Sequence, residues 1–253
     1  MLHGKSVDRL ISTWRGPAVA FGLGVALACL ALVASAAAQP ATPYPAMAPL
    51  ADYLMADRAA EIALARSAAP PSVSADAEVL VLGPHGYVSA GPGKNGFVCI
   101  VSRAWFSGFK DDGFWNPKQR GPICFNRQAA RSVLPTFLAR TTWALAGVSR
   151  PEMLKRTRDA VAAGKIRAPE TGSMTYMMSK GGYLGDEAGG PWHPHIMFYT
   201  PPMPTADWGA NLPGTRVFAT GADGGDPYAT FYIPVAAWSD GTPDEKAGAK
   251  HEM

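Results

Sequence analysis

The densest candidate chemistry lies in Trp192-His193-Pro194-His195-Ile196-Met197-Phe198-Tyr199. Side chains two apart on a strand share a face, so His193, His195 and Met197 are expected to project together. Two neutral imidazoles at that spacing make a clasp for copper, zinc or nickel, and a soft thioether turns the set towards copper. Met174, Met177 and Met178, on another expected strand, can add a further sulfur. The same residues also read as ordinary structure. Pro194 removes a ladder donor and breaks strand regularity. Ile196-Met197-Phe198 looks like a buried strand, and no Asp or Glu follows His195 at a third-ligand spacing. A copper or zinc site at His193, His195 and Met197 is therefore one alternative. A hydrolase using the His193/His195 region as acid–base groups is another.

Other matches dissolve on inspection. Gly91-Pro92-Gly93-Lys94-Asn95-Gly96 fits G-x-G-x-x-G, but a dinucleotide loop must open a helix. Here Phe97 to Val101 read as a strand, and Asn95-Gly96 is expected to make a hairpin turn. Ser107-Gly108-Phe109-Lys110 fits S-x-x-K without the S-D-N and K-T-G partners that a penicillin-binding enzyme needs. There is no G-x-S-x-G and no H-E-x-x-H, and the His-x-His strand lacks the glycine spacing and following Glu of a cupin. Asp111-Asp112 and Asp223-Gly224-Gly225-Asp226 offer too few regularly spaced oxygens for calcium. No cofactor-binding residues are assigned, and whether the chain is an enzyme stays open.

The elements that must position these residues follow from period and punctuation. Residues 50–68 read as a helix with Leu50, Tyr53, Leu54, Ile62 and Ala65 near one face, stopped by Pro70-Pro71. Short strands are expected at Glu78–Leu82, Gly86–Ser89 and Phe97–Val101, with another around Ile123-Cys124-Phe125. A long loop pinned by Phe109, Phe114 and Trp115 separates the last two. Leu134, Phe137, Leu138, Thr141 and Leu145 give an amphipathic stripe. Ser149-Arg150-Pro151-Glu152 is a capping box opening a second helix, with Met153, Leu154, Ala160 and Val161 as its apolar face and Gly164 to stop it. Further strands are expected at Met174–Met178, His195–Thr200, Arg216–Thr220 and Thr230–Pro234. Strands, then helices, then strands give an α+β fold: a mostly antiparallel sheet with two or three packed helices.

Residues 1–38 read as a signal peptide: a basic start at Arg9 and Arg15, an apolar run from Pro17 to Ala34, and Ala36-Ala37-Ala38 as the cleavage site. The run is long enough to span a bilayer, but its small-residue exit with no basic cluster behind it favours cleavage over anchoring. The chain is accordingly expected to be exported, periplasmic or extracellular, with no membrane span after cleavage. Removing the leader from the 253 residues leaves 215, enough for one domain with a real core. It also removes Lys5, Arg9, Arg15 and Asp8, so the net charge falls from +3 to +1. A near-neutral chain with no basic stripe gives no electrostatic case for nucleic acid. Cys99 and Cys124 then remain, an even count that suits one disulfide in an oxidising compartment. Residues 39–72 are expected to be a Pro/Ala-rich linker and N-terminal helix, 73–239 a single core domain, and 240–253 a disordered tail.

The segments Asn95-Gly96-Phe97-Val98-Cys99, Gly121-Pro122-Ile123-Cys124-Phe125 and Trp192 to Tyr199 resemble a group of exported bacterial proteins of uncharacterised activity. Those proteins carry NGFxC, PxC and PHxM segments, and the likeness spans about residues 75–235. The resemblance implies export and places both cysteines in the core domain; it implies nothing about catalysis. The leading functional expectation is an exported domain binding a small molecule or a protein partner.

Overall fold

The computed structural model describes residues 43–186, 192–221 and 226–245. The signal-peptide reading of residues 1–38 lies outside them. The core is an eight-stranded sheet: β1 (Glu78–Gly83), β2 (Gly86–Ser89), β3 (Val98–Ser102), β4 (Gly121–Phe125), β5 (Met174–Met177), β6 (His195–Thr200), β7 (Phe218–Thr220) and β8 (Ala229–Pro234). Their order is β2-β1-β3-β4-β5-β6-β8-β7. Every neighbouring pair is antiparallel except β1 and β3, which run parallel. Among the described residues five helices accompany the sheet: α1 (Arg58–Arg66), α2 (Pro71–Ser74), α3 (Arg127–Ser132), α4 (Leu134–Leu145) and α5 (Arg150–Ala162). The α+β class with a mostly antiparallel sheet is thus present, with two short helices, α2 and α3, beyond the expected set.

Strand alternation divides the core between two faces. Val79, Val81, Cys99, Val101 and Cys124 point to one side, where Ala65 of α1 and the following Ala68 and Ala69 cover them. The small alanines let the helix lie close to the sheet. Ile100, Ile123, Phe125, Met177, Met197 and Tyr199 point to the other side, against Ala129 of α3 and Val133 and Leu134 at the head of α4. Cys99 and Cys124 are direct partners across β3 and β4, joined as a disulfide and buried on the α1 face.

Three expectations are corrected. The hairpin at Asn95-Gly96 does not form; the hairpin is β1–β2, turning at Pro84-His85. Asn95 instead serves as a tie, its Nδ2 donating to Val73 O and its Oδ1 accepting from Phe97 N. The N-terminal helix is shorter than expected, a 3-10 turn at Leu50–Asp52 followed by α1. It is part of the core: Glu61 on α1 is 2% exposed and Tyr53 is fully buried. Nor does order end at residue 239. Ala237 bridges Pro243, Lys180 pairs with Asp240 at 3.0 Å, and Asp244 is buried against His193. Residues 246–253 lie outside the described residues.

Candidate functional site

A cavity of about 440 Å³ runs along the face of the sheet opposite α1. Its floor comes from alternate residues of β6 and β8: His195, Met197 and Tyr199, then Thr230 and Tyr232. Phe137 and Arg140 of α4 and the segment Phe106–Asp111 after β3 make the opposite wall. The two-residue period that fills the sheet core elsewhere leaves a gap here, and the inward face of α4 carries polar residues. Its buried residues are Leu134, Thr136, Arg140, Thr141 and Ala144, while the expected stripe members Phe137, Leu138 and Leu145 are only half-buried. The i, i+4, i+8 set Thr136-Arg140-Ala144 faces inward.

At one end, Arg140 is 3% exposed. Its guanidinium lies 4.1 Å over the Phe109 ring, Nη2 pairs with Asp226, and Nη1 donates to Ser107 O at 3.3 Å. Nε is buried and, among the described residues, has no hydrogen-bond partner. Tyr228 packs edge-on to Tyr199 beside this end, with ring centroids 5.3 Å apart. Burial pushes the Tyr199, Tyr228 and Tyr232 phenols above their ordinary value, so all three hold their protons at neutral pH. Tyr199 shares a hydrogen bond with Thr175 at 3.2 Å and donates to Met197 Sδ at 3.7 Å. Tyr232 pairs with Thr220 at 3.2 Å.

At the other end is His195. Its Nδ1 lies 2.8 Å from the His193 carbonyl oxygen. A carbonyl only accepts, so Nδ1 carries the proton and Nε2 the lone pair. Burial holds its pKa below the usual imidazole value, and the nearby His193 ring lowers it further against the opposing effect of the His193 carbonyl. Trp192 packs edge-on to the ring and Tyr232 tilts against it, with centroids at 5.4 and 5.6 Å.

The three residues singled out by the sequence do not act as one set. His195 and Met197 line the cavity together; His193 is not among its lining residues. Pro194 ends the regular strand, β6 begins at His195, and the His193 imidazole turns to Asp244, with Nδ1 to Oδ2 at 2.6 Å. In place of His193, the register brings in Met177, directly opposite His195 on β5 and on the same cavity wall. His85 is an exposed residue of the β1–β2 turn, on the far side of the sheet order from β6. Arg140, Tyr228 and Tyr232 carry no local sequence signal as site residues; one arginine on an amphipathic helix ordinarily reads as solvated. Of the acidic Asp223–Asp226 cluster, Asp226 pairs with Arg140, and residues 223–225 lie outside the described residues. Among the described residues, no three of His, Cys, Asp and Glu converge as a metal cluster, and no helix is long and apolar enough to cross a membrane. No family model, curated protein or solved structure matches this chain.

Proposed function

We propose that this chain is an exported protein that binds a small, uncharged organic molecule in the cavity along β6. Export is supported by the leader pattern of residues 1–38 and by a disulfide suited to an oxidising compartment. The observation that carries the binding reading is Arg140. A buried guanidinium whose Nε–H has no partner among the described residues is costly, and it lies in the wall of a cavity of ligand size. Asp226 already balances its charge, and among the described residues the charged lining residues number two of each sign, Lys110 and Arg140 against Asp111 and Asp226. A neutral ligand offering a carbonyl or hydroxyl oxygen to Nε meets that need without adding charge. Phe106, Phe137 and Tyr228 supply apolar surface for its body. A concave site of this kind suits a small molecule better than a protein partner.

The test is a screen of neutral fluorinated fragments by fluorine NMR, with hits mapped on backbone amide spectra. Hits are expected to move Ser107, Tyr199 and Tyr228, and to weaken at least about tenfold in Arg140→Leu, the loss of a hydrogen bond to a charged group. Hits that bind without moving those amides, or none at millimolar fragment, would overturn the reading.

A further inference from the structure

We propose that the His195 end of the cavity is a binding site for copper(I), with His195 Nε2 and the Met177 and Met197 sulfurs as its ligands. This goes beyond the organic-ligand reading and does not rest on it. Met177 and His195 are direct partners across β5 and β6, and directly opposed side chains are near neighbours on one face of a sheet. Met197 is two residues along from His195 and therefore shares that face. Across the same pair of strands it lies on the diagonal from Met177, within the reach of long side chains. All three line the same cavity, with Met177 and Met197 only 6% and 4% exposed.

The donor chemistry selects the ion. Two thioethers and a neutral imidazole are soft and carry no charge. A monovalent soft ion suits such a set, whereas a divalent ion would bring an uncompensated second charge into a buried site. Zinc sites are built from thiolate, imidazole and carboxylate. Here Cys99 and Cys124 are tied to each other, and no cluster of three His, Cys, Asp or Glu occurs among the described residues.

The surroundings hold the ligands in place. The Nδ1–H bond to the His193 carbonyl fixes the tautomer that aims a lone pair from Nε2, the usual support for a metal-bound histidine. Asp244 anchors the His193 ring in turn. Gly121 on β4 lies beside the tip of Met177 and makes room for Ser102: a Cβ there would sit 2.4 Å from Ser102 Oγ and at ordinary contact distance, 3.4 Å, from Met177 Cε.

The test uses silver(I) as a redox-inert probe on protein carrying carbon-13 in its methionine methyl groups. One equivalent is expected to move the Met177 and Met197 signals and to leave Met153 and Met203 unmoved. Copper(I) affinity, read anaerobically by competition with bicinchoninate, is expected to fall at least about 100-fold in Met177→Leu/Met197→Leu, more than the loss of an outer partner usually costs. The change in His193→Ala is expected to stay within about tenfold, the lower figure for an outer partner. The leucines keep side-chain volume, and the methyl spectra of the unsubstituted protein give an answer even if the variant misfolds. Unmoved Met177 and Met197 methyls at one equivalent would overturn the proposal, as would full affinity in the double variant or a larger loss in His193→Ala than in the methionine variant.

Discussion

The Glu61 carboxylate on α1 lies 2.8 Å from Arg103 Nη2, with the two side chains 2% and 0% exposed. The pair ties α1 to β1, to the end of β3 and to the turn at Tyr53. Glu61 Oε1 also accepts from Leu82 N of β1, while Arg103 donates from Nε to Tyr53 O at 2.7 Å and from Nη1 to Val101 O. Removing one member of a buried pair strands the other, so Glu61→Ala is expected to cost about 3–5 kcal/mol. Glu61→Gln keeps an acceptor for Leu82 and Arg103 and is expected to cost less. Urea denaturation of both variants checks this, and an Ala variant as stable as the Gln variant would mean the pair does not hold α1.

The disulfide should matter on a similar scale. Cys99 and Cys124 are 25 residues apart and join adjacent strands under α1. Closing a loop of that length removes unfolded-state entropy equivalent to about 3–4 kcal/mol. The Cys99→Ala/Cys124→Ala variant is therefore expected to lose that much, with the cavity preserved because the bridge lies on the opposite face of the sheet. Loss of stability far below this range in guanidinium titration would show that the unfolded chain is already constrained.

What the sequence made legible is local. β6 begins and ends at the expected His195 and Thr200, and α4 spans the predicted stripe from Leu134 to Leu145, because period and caps act within a few residues. The Ser149 cap accepts from Glu152 N at 3.4 Å as its motif implies. Pairing across the chain was not legible. The parallel partnership of β1 and β3 depends on where β2 folds back, and the Asn95-Gly96 turn signal is equally content outside a hairpin. The site depends on the same long-range facts. Met177 faces His195 only through the β5–β6 register, Arg140 is buried only because Asp226 and Phe109 receive it, and His193 leaves the set because Pro194 breaks the alternation that would have included it.

The chain end provides a pH test. Asp240 Oδ1 accepts from Thr242 Oγ1 at 2.6 Å and from Thr242 N at 2.9 Å, and Lys180 Nζ lies 3.0 Å from its other oxygen. The Thr242 bonds, hydroxyl first, and then Lys180 hold its pKa at about 2. A depressed carboxylate favours the folded state above its unfolded value of 3.8, and that contribution is lost as pH falls through about 2. Carbon-13 NMR titration is expected to show Asp240 still ionised at pH 3, and Thr242→Val should move its midpoint up towards 3.8. An Asp240 that titrates normally in the unsubstituted chain would mean residues 240–242 do not hold this turn.

Trp192, just before β6, packs against His195 at the cavity, and Gly182 makes its position possible. The indole Nε1 donates to Ser179 O at 3.0 Å, and the ring meets His195 edge-on. A Cβ at Gly182 would lie 2.4 Å from Trp192 Cζ2, too close for a rigid ring to absorb. Gly182→Ala is therefore expected to displace the indole and cost about 1–3 kcal/mol through overpacking. Gly185→Ala is the matched control, since among the described residues a Cβ there meets nothing within 4 Å. Because Trp192 packs against His195, the Gly182 variant should also shift the His195 ring signals in NMR, and the control should not. Equal stability and unchanged His195 signals in both variants would show that Trp192 can move without consequence, and that the His195 end of the cavity is held by the β5–β6 register alone.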